Sequence, residues 1–163
     1  MATPTYTLID SVTLGSSASS VTFSSIPAGG DAVLVMEFKA GSSLVAPRVQ
    51  INGDTGSNYS FVSMYGDGSS TYSGNNTLTD IRVGTATNTS AGFAKLEFAD
   101  FSATDKNKSI LGRHGNAGVS FGIYAQAYRW ANNDAITSIN ISEPTDSFAA
   151  GSTFFLYNIA KAL

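Results

Sequence analysis

The sequence predicts an all-β protein, an antiparallel two-sheet sandwich of the jelly-roll type, with residues 1–163 forming a single domain. Short runs of β-branched and aromatic residues recur along the chain, and Gly, Asn, Asp, Ser or Pro bounds each run at intervals of roughly 8 to 15 residues. No stretch has the apolar spacing of a helix. About ten strands on this spacing need a second sheet, because a single open sheet would leave one apolar face in water.

The predicted strands follow in order from the N-terminus. Tyr6 to Leu14 shows alternation, and a second strand begins at Val21 and Phe23 and ends at the turn 27–30. Ala32 to Phe38 is apolar on both faces, so we expect it at the centre of a sheet or covered on its second face by another subunit. The further predicted strands are Arg48 to Asn52, Tyr59 to Tyr65, Leu78 to Val83, Phe93 to Phe98, Ser109 to Leu111, Val119 to Trp130, Ile136 to Ile141 and Thr153 to Ile159.

The longest predicted strand, Val119 to Trp130, divides its side chains between two faces. One face carries Val119, Phe121, Ile123, Ala125 and Ala127, and the other carries Tyr124, Tyr128 and Trp130. Tyr and Trp are enriched at protein interfaces, and aromatic rings also form platforms on which sugars stack. The three aromatic residues are therefore candidates for a core, an interface or a glycan-stacking site, and we favour the interface.

The composition excludes several classes of partner. Charged residues are 13% of the chain, where an ordinary soluble domain carries about a quarter, and Ser, Thr, Asn and Gly take their place. The net charge is only −3, so we expect no nucleic acid partner. No segment approaches the roughly 20 apolar residues of a spanning helix, and residues 1–6 lack the basic start of a signal peptide. We therefore expect no membrane partner and synthesis in a cytoplasm, which the absence of Cys also fits.

The strongest enzyme signal is Asp54 to Ser57, which has the sequence of the catalytic tetrapeptide of aspartic proteases. Ser109 to Arg113 also looks like the apolar-apolar-Gly-Arg segment of retroviral-type enzymes, in which each protomer of a dimer supplies one Asp. Bulky apolar residues precede the Asp in those enzymes, whereas residues 52–53 are Asn and Gly here, and His114 to Gly118 is a turn sequence where a helix should open. We interpret residues 54–57 as a hairpin loop and expect no catalytic residue, with a dimeric aspartic protease as the third alternative.

The same loop offers oxygen atoms at Asn52, Asp54 and Asn58, in the alternating spacing of a calcium loop. A bidentate Glu closes such loops, whereas Ser63 stands at that distance. Asx turns account for the Asn and Asp residues without a metal, so we expect neither a metal nor a cofactor. His114, next to Arg113 in a predicted loop, is expected at the surface.

Four stretches of the chain resemble virion proteins of tailed bacteriophages, notably of cyanobacterial and marine phages. Residues 51–60 (INGDTGSNYS) and 65–70 (YGDGSS) are similar to a block in those proteins. Residues 21–27 (VTFSSIP) and 148–157 (FAAGSTFFLY) look like the first and last strands of the same family. The members that this chain resembles are jelly-roll capsid decoration, or cement, proteins and tail-fibre modules.

The resemblance implies a non-enzymatic capsid decoration protein. Such a protein would be made in the bacterial cytoplasm, bind the outer capsid surface of the virion as a homo-oligomer, which we expect to be a trimer, and bridge neighbouring subunits of the phage major capsid protein. Low surface charge suits this role, because desolvating Ser, Thr and Asn costs far less than desolvating Lys or Glu. The alternative is a tail-fibre or receptor-binding module that grips host glycans through Tyr124, Tyr128 and Trp130.

Overall fold

A computed structural model describes residues 5–118 and 122–159 of the chain. Within these ranges the regular secondary structure consists of strands. The strands are β1 (Tyr6–Thr13), β2 (Ser20–Phe23), β3 (Asp31–Phe38), β4 (Leu44–Val45), β5 (Arg48–Ile51), β6 (Tyr59–Gly66), β7 (Thr71–Leu78), β8 (Ile81–Arg82), β9 (Ala86–Thr87), β10 (Gly92–Ala99), β11 (Lys108–Asn116), β12 (Ile123–Trp130), β13 (Ile139–Ser142) and β14 (Thr153–Ile159). A membrane-crossing helix of sufficient length and apolarity is not found in these ranges.

The strands form two main antiparallel sheets, as the sequence predicts. The larger sheet has eight strands in the order β1-β14-β3-β10-β11-β12-β6-β7, and the smaller sheet has four in the order β2-β13-β5-β8. A short pair, β4 and β9, lies beside them. The arrangement is an antiparallel β-sandwich of the jelly-roll type, so the predicted fold class is confirmed.

The core lies between the two sheets because strands of both present every second side chain inward. On β10, Ala94, Leu96 and Phe98 are buried, whereas Phe93 and Glu97 are exposed. The smaller sheet contributes inward residues with the same alternation; they include Val21, Phe23, Val49, Ile51, Ile139 and Ile141. The inner faces of the two sheets therefore pack on each other, although residues Thr71–Thr77 of β7 remain exposed.

β3 lies between β14 and β10, which confirms the expectation that a strand with two apolar faces is central. Val33 and Leu34 are adjacent and therefore point to opposite faces, yet both are buried.

The bounds of several strands differ from the prediction. β7 was predicted only at its last residue, Leu78, because its Ser, Gly and Asn residues are typical of loops. β11 continues to Asn116, well beyond the predicted end at Leu111, although it contains two glycines. The strand predicted at Ile136 to Ile141 begins only at Ile139. The first three residues of the strand predicted at Val119 to Trp130 lie outside the described residues, and β12 begins at Ile123.

Candidate functional site

The side chains of β12 alternate between two faces, as the sequence predicts. The face that carries Tyr128 and Trp130 is buried in the core, however, whereas the sequence favoured it as an interface at the surface. Tyr128 and Trp130 are buried in the core, with 3% and 0% of their surface exposed. Ile123, Ala125 and Ala127 face outward, and Ile123 is 70% exposed. The assignment of Tyr128 and Trp130 to an interface or to glycan stacking is therefore wrong. The largest rings of the strand fill the space between the sheets, where they bury the most apolar area.

The polar atoms of these two rings are satisfied inside the protein. Trp130 Nε1 donates to Asp54 Oδ2 over 2.7 Å. The Tyr128 hydroxyl contacts the backbone carbonyl oxygen of Arg82 and Oε1 of Gln126. Burial raises the pKa of Tyr128, and the negative charge of Asp80 adds to this effect. Both aromatic residues are thus structural.

Tyr124 belongs to a row of four rings that crosses the inner face of the larger sheet. His114 stacks on Tyr124 with 4.4 Å between ring centroids, Tyr124 on Tyr65 at 4.8 Å, and Tyr65 on Tyr72 at 4.6 Å. The four residues are directly opposite one another in neighbouring strands, so the stacking follows the strand spacing. Both faces of the Tyr124 ring are covered by neighbouring rings. Tyr124 therefore has no face left on which a sugar could stack.

His114 is buried, with 5% of its surface exposed, so the expectation of a surface histidine is wrong. Its glycine-rich flanks are part of β11, and the imidazole packs against Gly84, where an added Cβ would lie 2.1 Å from Nδ1. Nε2 bonds to Oε1 of Gln126, while Nδ1 has no hydrogen-bond partner among the described residues. Burial lowers the pKa of His114, and the hydrogen bond to Gln126 only partly opposes that shift.

The Asp54 loop is a tight turn whose polar atoms bind one another. Asn52 and Gly53 have φ values of 53° and 68°, which turn the chain directly after β5. Asp54 Oδ1 accepts hydrogen bonds from the Gly56 backbone at 2.8 Å and from Asn58 at 3.1 Å. Partial burial raises the pKa of Asp54, but the hydrogen bonds from Trp130, Asn58 and Gly56 outweigh it and lower the pKa. The interpretation of this loop as an Asx turn is confirmed, whereas its interpretation as a hairpin loop is wrong, because β5 and β6 lie in different sheets.

The oxygen atoms considered for calcium are used elsewhere. Asn52 Oδ1 accepts from the backbone nitrogens of Thr137 at 2.9 Å and Ser138 at 3.0 Å. Ser63 lies on β6, where its hydroxyl donates to the Gly74 carbonyl at 3.5 Å. Across residues 5–118 and 122–159, no group of three or more His, Asp or Glu side chains is placed to share a metal ion.

Other buried charged groups are likewise satisfied within the fold. Asp80 is 4% exposed and contacts Arg48 at 3.2 Å and Arg82 at 3.3 Å. Lys108 is 1% exposed, and its Nζ donates to three backbone carbonyl oxygens, at Ala103, Lys106 and Asn133. Burial lowers the pKa of this lysine. These groups hold loops in place.

The remaining candidate for a functional surface is the outer face of the larger sheet, over β10, β11, β12 and β6. Large apolar side chains stand side by side there and are more than half exposed; they are Val62, Met64, Phe93, Leu111 and Ile123. Ala125 and Ala127 of β12 lie between them, paired with Met64 and Val62 in the neighbouring strand. We call these seven residues the apolar outer face. Monomeric soluble proteins rarely expose large contiguous apolar patches, so this face is the candidate functional site.

A shallow depression of about 860 Å³ lies at one end of the apolar outer face. Phe93, Met64, Ile123 and Arg113 line it. The sequence indicated this face only through the apolar alternation of Ile123, Ala125 and Ala127, which we had not recognised as exposed. Phe93 and Leu111 were missed because alternation shows which residues share a face without showing which face is covered.

No family model matches this chain, and no curated protein matches it. Among solved structures, exo-inulinase from Aspergillus awamori is similar over 94% of this chain at 17% identity, with a TM-score of 0.44, and this chain spans only 29% of that one. Galectin LEC-6 of Caenorhabditis elegans is similar over 99% of both chains at 10% identity, with a TM-score of 0.37. An alginate lyase in complex with an alginate trisaccharide is similar over 94% of this chain and 80% of its own at 8% identity, with a TM-score of 0.34.

Proposed function

We propose that this chain is a structural, non-enzymatic virion protein of a tailed bacteriophage, namely a decoration protein that binds the outer capsid surface and bridges neighbouring subunits of the major capsid protein. The observation that carries the proposal is the apolar outer face, which supports a protein as the partner. The resemblance of residues 51–60 and 65–70 to phage virion proteins supports the capsid as the place where that partner is found.

The chemistry of the apolar outer face suits docking onto another protein. Most of its side chains are apolar, although the exposed Arg113 of β11 lies among them between Lys95 and Ala125, and its borders carry small polar or charged groups. Lys95 and Glu97 pair at 2.6 Å on β10, so two of the bordering charges neutralise each other. On the opposite border, β7 presents neutral side chains such as Ser73 and Asn75. A partner therefore buries apolar surface without stripping water from many charges.

Stabilisation of the shell follows because the complete binding site exists only where neighbouring capsid subunits meet. A decoration protein whose site spans two capsid subunits binds the assembled shell and not the separate subunits. Its binding free energy is then lost whenever neighbouring subunits separate, so binding stabilises the shell.

The glycan-binding alternative receives no support from the three aromatic residues on which it depended. Tyr128 and Trp130 are buried, and Tyr124 is covered on both ring faces. The capsid proposal does not depend on these rings.

The test is addition of the purified protein to virions from which it has been stripped. We expect a saturable, near-stoichiometric layer on the capsid and a higher temperature of DNA release. The variant Met64→Lys/Ile123→Lys places two charges on the apolar outer face at positions 64% and 70% exposed, so it should fold normally but fail to bind. The matched control Ser20→Lys/Thr22→Lys carries the same charges on exposed positions of β2, in the smaller sheet, and should bind as the wild type does.

Two outcomes would contradict the proposal. In the first, the protein is found only at the tail of the virion. In the second, both lysine pairs bind equally well, which would remove the apolar outer face from the interface.

The non-enzymatic part of the proposal has its own test. Wild-type protein and Asp54→Asn are incubated with peptide substrates at acidic pH, where an aspartic protease would be active. We expect no cleavage by either protein. Cleavage by the wild type that the substitution abolishes would overturn this part of the proposal.

A further inference from the structure

β7 is one of the two edges of the eight-stranded sheet, and among the described residues no strand pairs with it on the side away from β6. Its first seven residues are exposed. An edge strand presents unpaired backbone N–H and C=O groups to its surroundings, which makes it a template for a further strand.

The hairpin that precedes β7 shows which of its backbone groups point outward. The Asp67 nitrogen donates to the Ser70 carbonyl over 3.2 Å, which marks these two residues as a hydrogen-bonded pair. Because bonded and non-bonded pairs alternate in an antiparallel ladder, every second residue after Ser70 turns its N–H and C=O away from β6. These residues are Thr71, Ser73, Asn75 and Thr77. The Thr77 N–H donates to the Asn76 side chain at 2.8 Å, which agrees with an N–H that β6 does not use.

The opposite edge of the same sheet, β1, is protected in ways that β7 is not. β1 has a β-bulge between Leu8 and Asp10, and the Asp10 carboxylate adds a charge to the edge. Bulges and charged side chains are the usual devices that prevent one edge from pairing with another. β7 contains no charged residue and no Pro, and its pairing with β6 is regular from Thr71 to Leu78.

We propose that β7 pairs antiparallel with β7 of a second copy of this chain, about a two-fold axis that passes beside Gly74. The four outward residues are symmetric about this position, since the axis places Thr71 opposite Thr77 and Ser73 opposite Asn75. Once the Thr77 N–H exchanges the exposed Asn76 side chain for the second copy, each of the four residues donates and accepts one bond, which gives about eight backbone hydrogen bonds across the interface. No other register pairs all four.

The position of Gly74 at the centre fits the closest approach of the two strands. In this register, Gly74 faces Gly74 of the second copy in a non-bonded pair, where Cα atoms are only about 4.5 Å apart. Within one copy, an added Cβ at Gly74 would meet nothing closer than Ser63 Oγ at 4.0 Å. The absence of a side chain at this position is therefore not required by the fold of the single chain.

The pairing joins two eight-stranded sheets into one continuous sheet and makes the protein a dimer, in place of the trimer expected from the sequence. It also places two copies of the apolar outer face on the same side of that sheet. The inference does not depend on what the apolar outer face binds.

The chain has no Cys, so a single introduced thiol reports only on its counterpart in another copy. We expect Gly74→Cys to form a covalent dimer rapidly under mild oxidation, because non-bonded pairs have the Cα separation that a disulfide needs. Asn76→Cys lies on the same edge but away from the axis, and Thr7→Cys lies on β1; both should remain unlinked. Equal linkage of Gly74→Cys and Thr7→Cys would mean random collision and would overturn the proposal.

Sedimentation of the unmodified protein gives the second test. We expect a dimer for the wild type, and a monomer for Asn75→Pro, which removes an outward N–H that the single chain does not use. The melting transition of the Asn75→Pro monomer should show that the fold is retained. If this variant does not fold, the cross-linking of Gly74→Cys still tests the proposal. A wild-type monomer or trimer would overturn the proposal. Binding of a strand from another virion protein at this edge would also overturn the proposal. In that case the purified chain would be a monomer, and Gly74→Cys would form no covalent dimer.

Discussion

Trp130 donates a hydrogen bond from Nε1 to Oδ2 of Asp54 over 2.7 Å, although 76 positions separate the two residues. In the sequence, Asp54 suggested a protease or a calcium site, both of which we set aside in favour of a loop, and Trp130 suggested an interface. In the structure, the carboxylate anchors the indole of a core side chain to a surface loop. The features that suggested chemistry at these two positions thus serve the packing of the sandwich.

We expect Asp54→Asn to lower the free energy of unfolding by about 2 kcal/mol, the usual value for hydrogen bonds to a charged group. Both carboxylate oxygens accept N–H donors, from Trp130, Asn58 and Gly56. An amide must turn its NH₂ group toward one of these donors in either orientation. Urea denaturation measures the loss. Asp10→Asn is the control because Asp10 is exposed and, among the described residues, accepts only the neighbouring Ser11 N–H at 2.7 Å.

The pH dependence of this difference in unfolding free energy between the wild type and Asp54→Asn is a further check on its cause. The pKa of Asp54 is lowered from 3.8 in the folded protein, so its contribution to stability is fully present above that pH and is lost as the pH falls below it. The wild type and Asp54→Asn should therefore converge in acid. A difference that persists unchanged there would mean that the carboxylate charge is not responsible.

The spacing of strand-like runs and turns was sufficient to predict the fold class, and the continuous apolar run of Ala32 to Phe38 was sufficient to predict the central position of β3. β14 has the bounds that the sequence predicts, Thr153–Ile159, because its apolar run ends cleanly at a turn. β7 could not be recognised, since its propensities are those of a loop and its pairing with β6 determines its conformation.

The candidate site could not be predicted because each face of β12 is apolar. Alternation assigns Tyr128 and Trp130 to one face and Ile123 to the other with equal clarity. Which face is covered depends on where the smaller sheet lies, and that is a matter of tertiary packing. The aromatic row was hidden for a related reason, since its members His114, Tyr124 and Tyr65 are distant in sequence and meet only through strand register.

We expect the thermal stability of the wild type to fall as the pH decreases from neutral to mildly acidic values, because burial disfavours the charged form of the His114 imidazole. Its pKa in the folded protein is lowered from 6.5. As the pH falls below 6.5, the unfolded chain binds a proton that the folded chain does not, and folding stability decreases. The nearby titratable groups Tyr124 and Tyr128 have raised pKa values and stay neutral in this range.

His114→Phe is the matched variant, because it keeps a ring against Tyr124 and removes the titrating group. His114 is the sole histidine of the sequence, so the melting temperature of this variant should change little over the same pH range. A wild type and a variant with the same slope would assign the pH dependence to other groups.

Lys108→Met is expected to cost about 3 kcal/mol in unfolding free energy, because it removes a buried ammonium group and leaves three partly buried carbonyl groups without their donor. The ammonium group binds the carbonyl oxygens of Ala103 at 2.7 Å and of Lys106 and Asn133 at 3.1 Å. Chemical denaturation measures the effect. The control is Lys106→Met, whose exposed ion pair with Asp100 should contribute less than about 1 kcal/mol. Equal losses in the two variants would show that burial of Lys108 is not the reason.

The two glycines of β11 should respond oppositely to alanine. At Gly112, an added Cβ would lie 2.9 Å from Leu96 Cδ2 and 3.1 Å from Tyr128 Cε2, inside the core. We expect Gly112→Ala to cost about 1 to 3 kcal/mol through overpacking. At Gly115, on the outward side of the same strand, the nearest atom would be Ile123 Cγ1 at 4.0 Å, so Gly115→Ala should leave stability unchanged or raise it slightly. Urea denaturation compares the two variants directly, and a larger loss for Gly115→Ala would mean that β11 faces the core with the opposite set of residues.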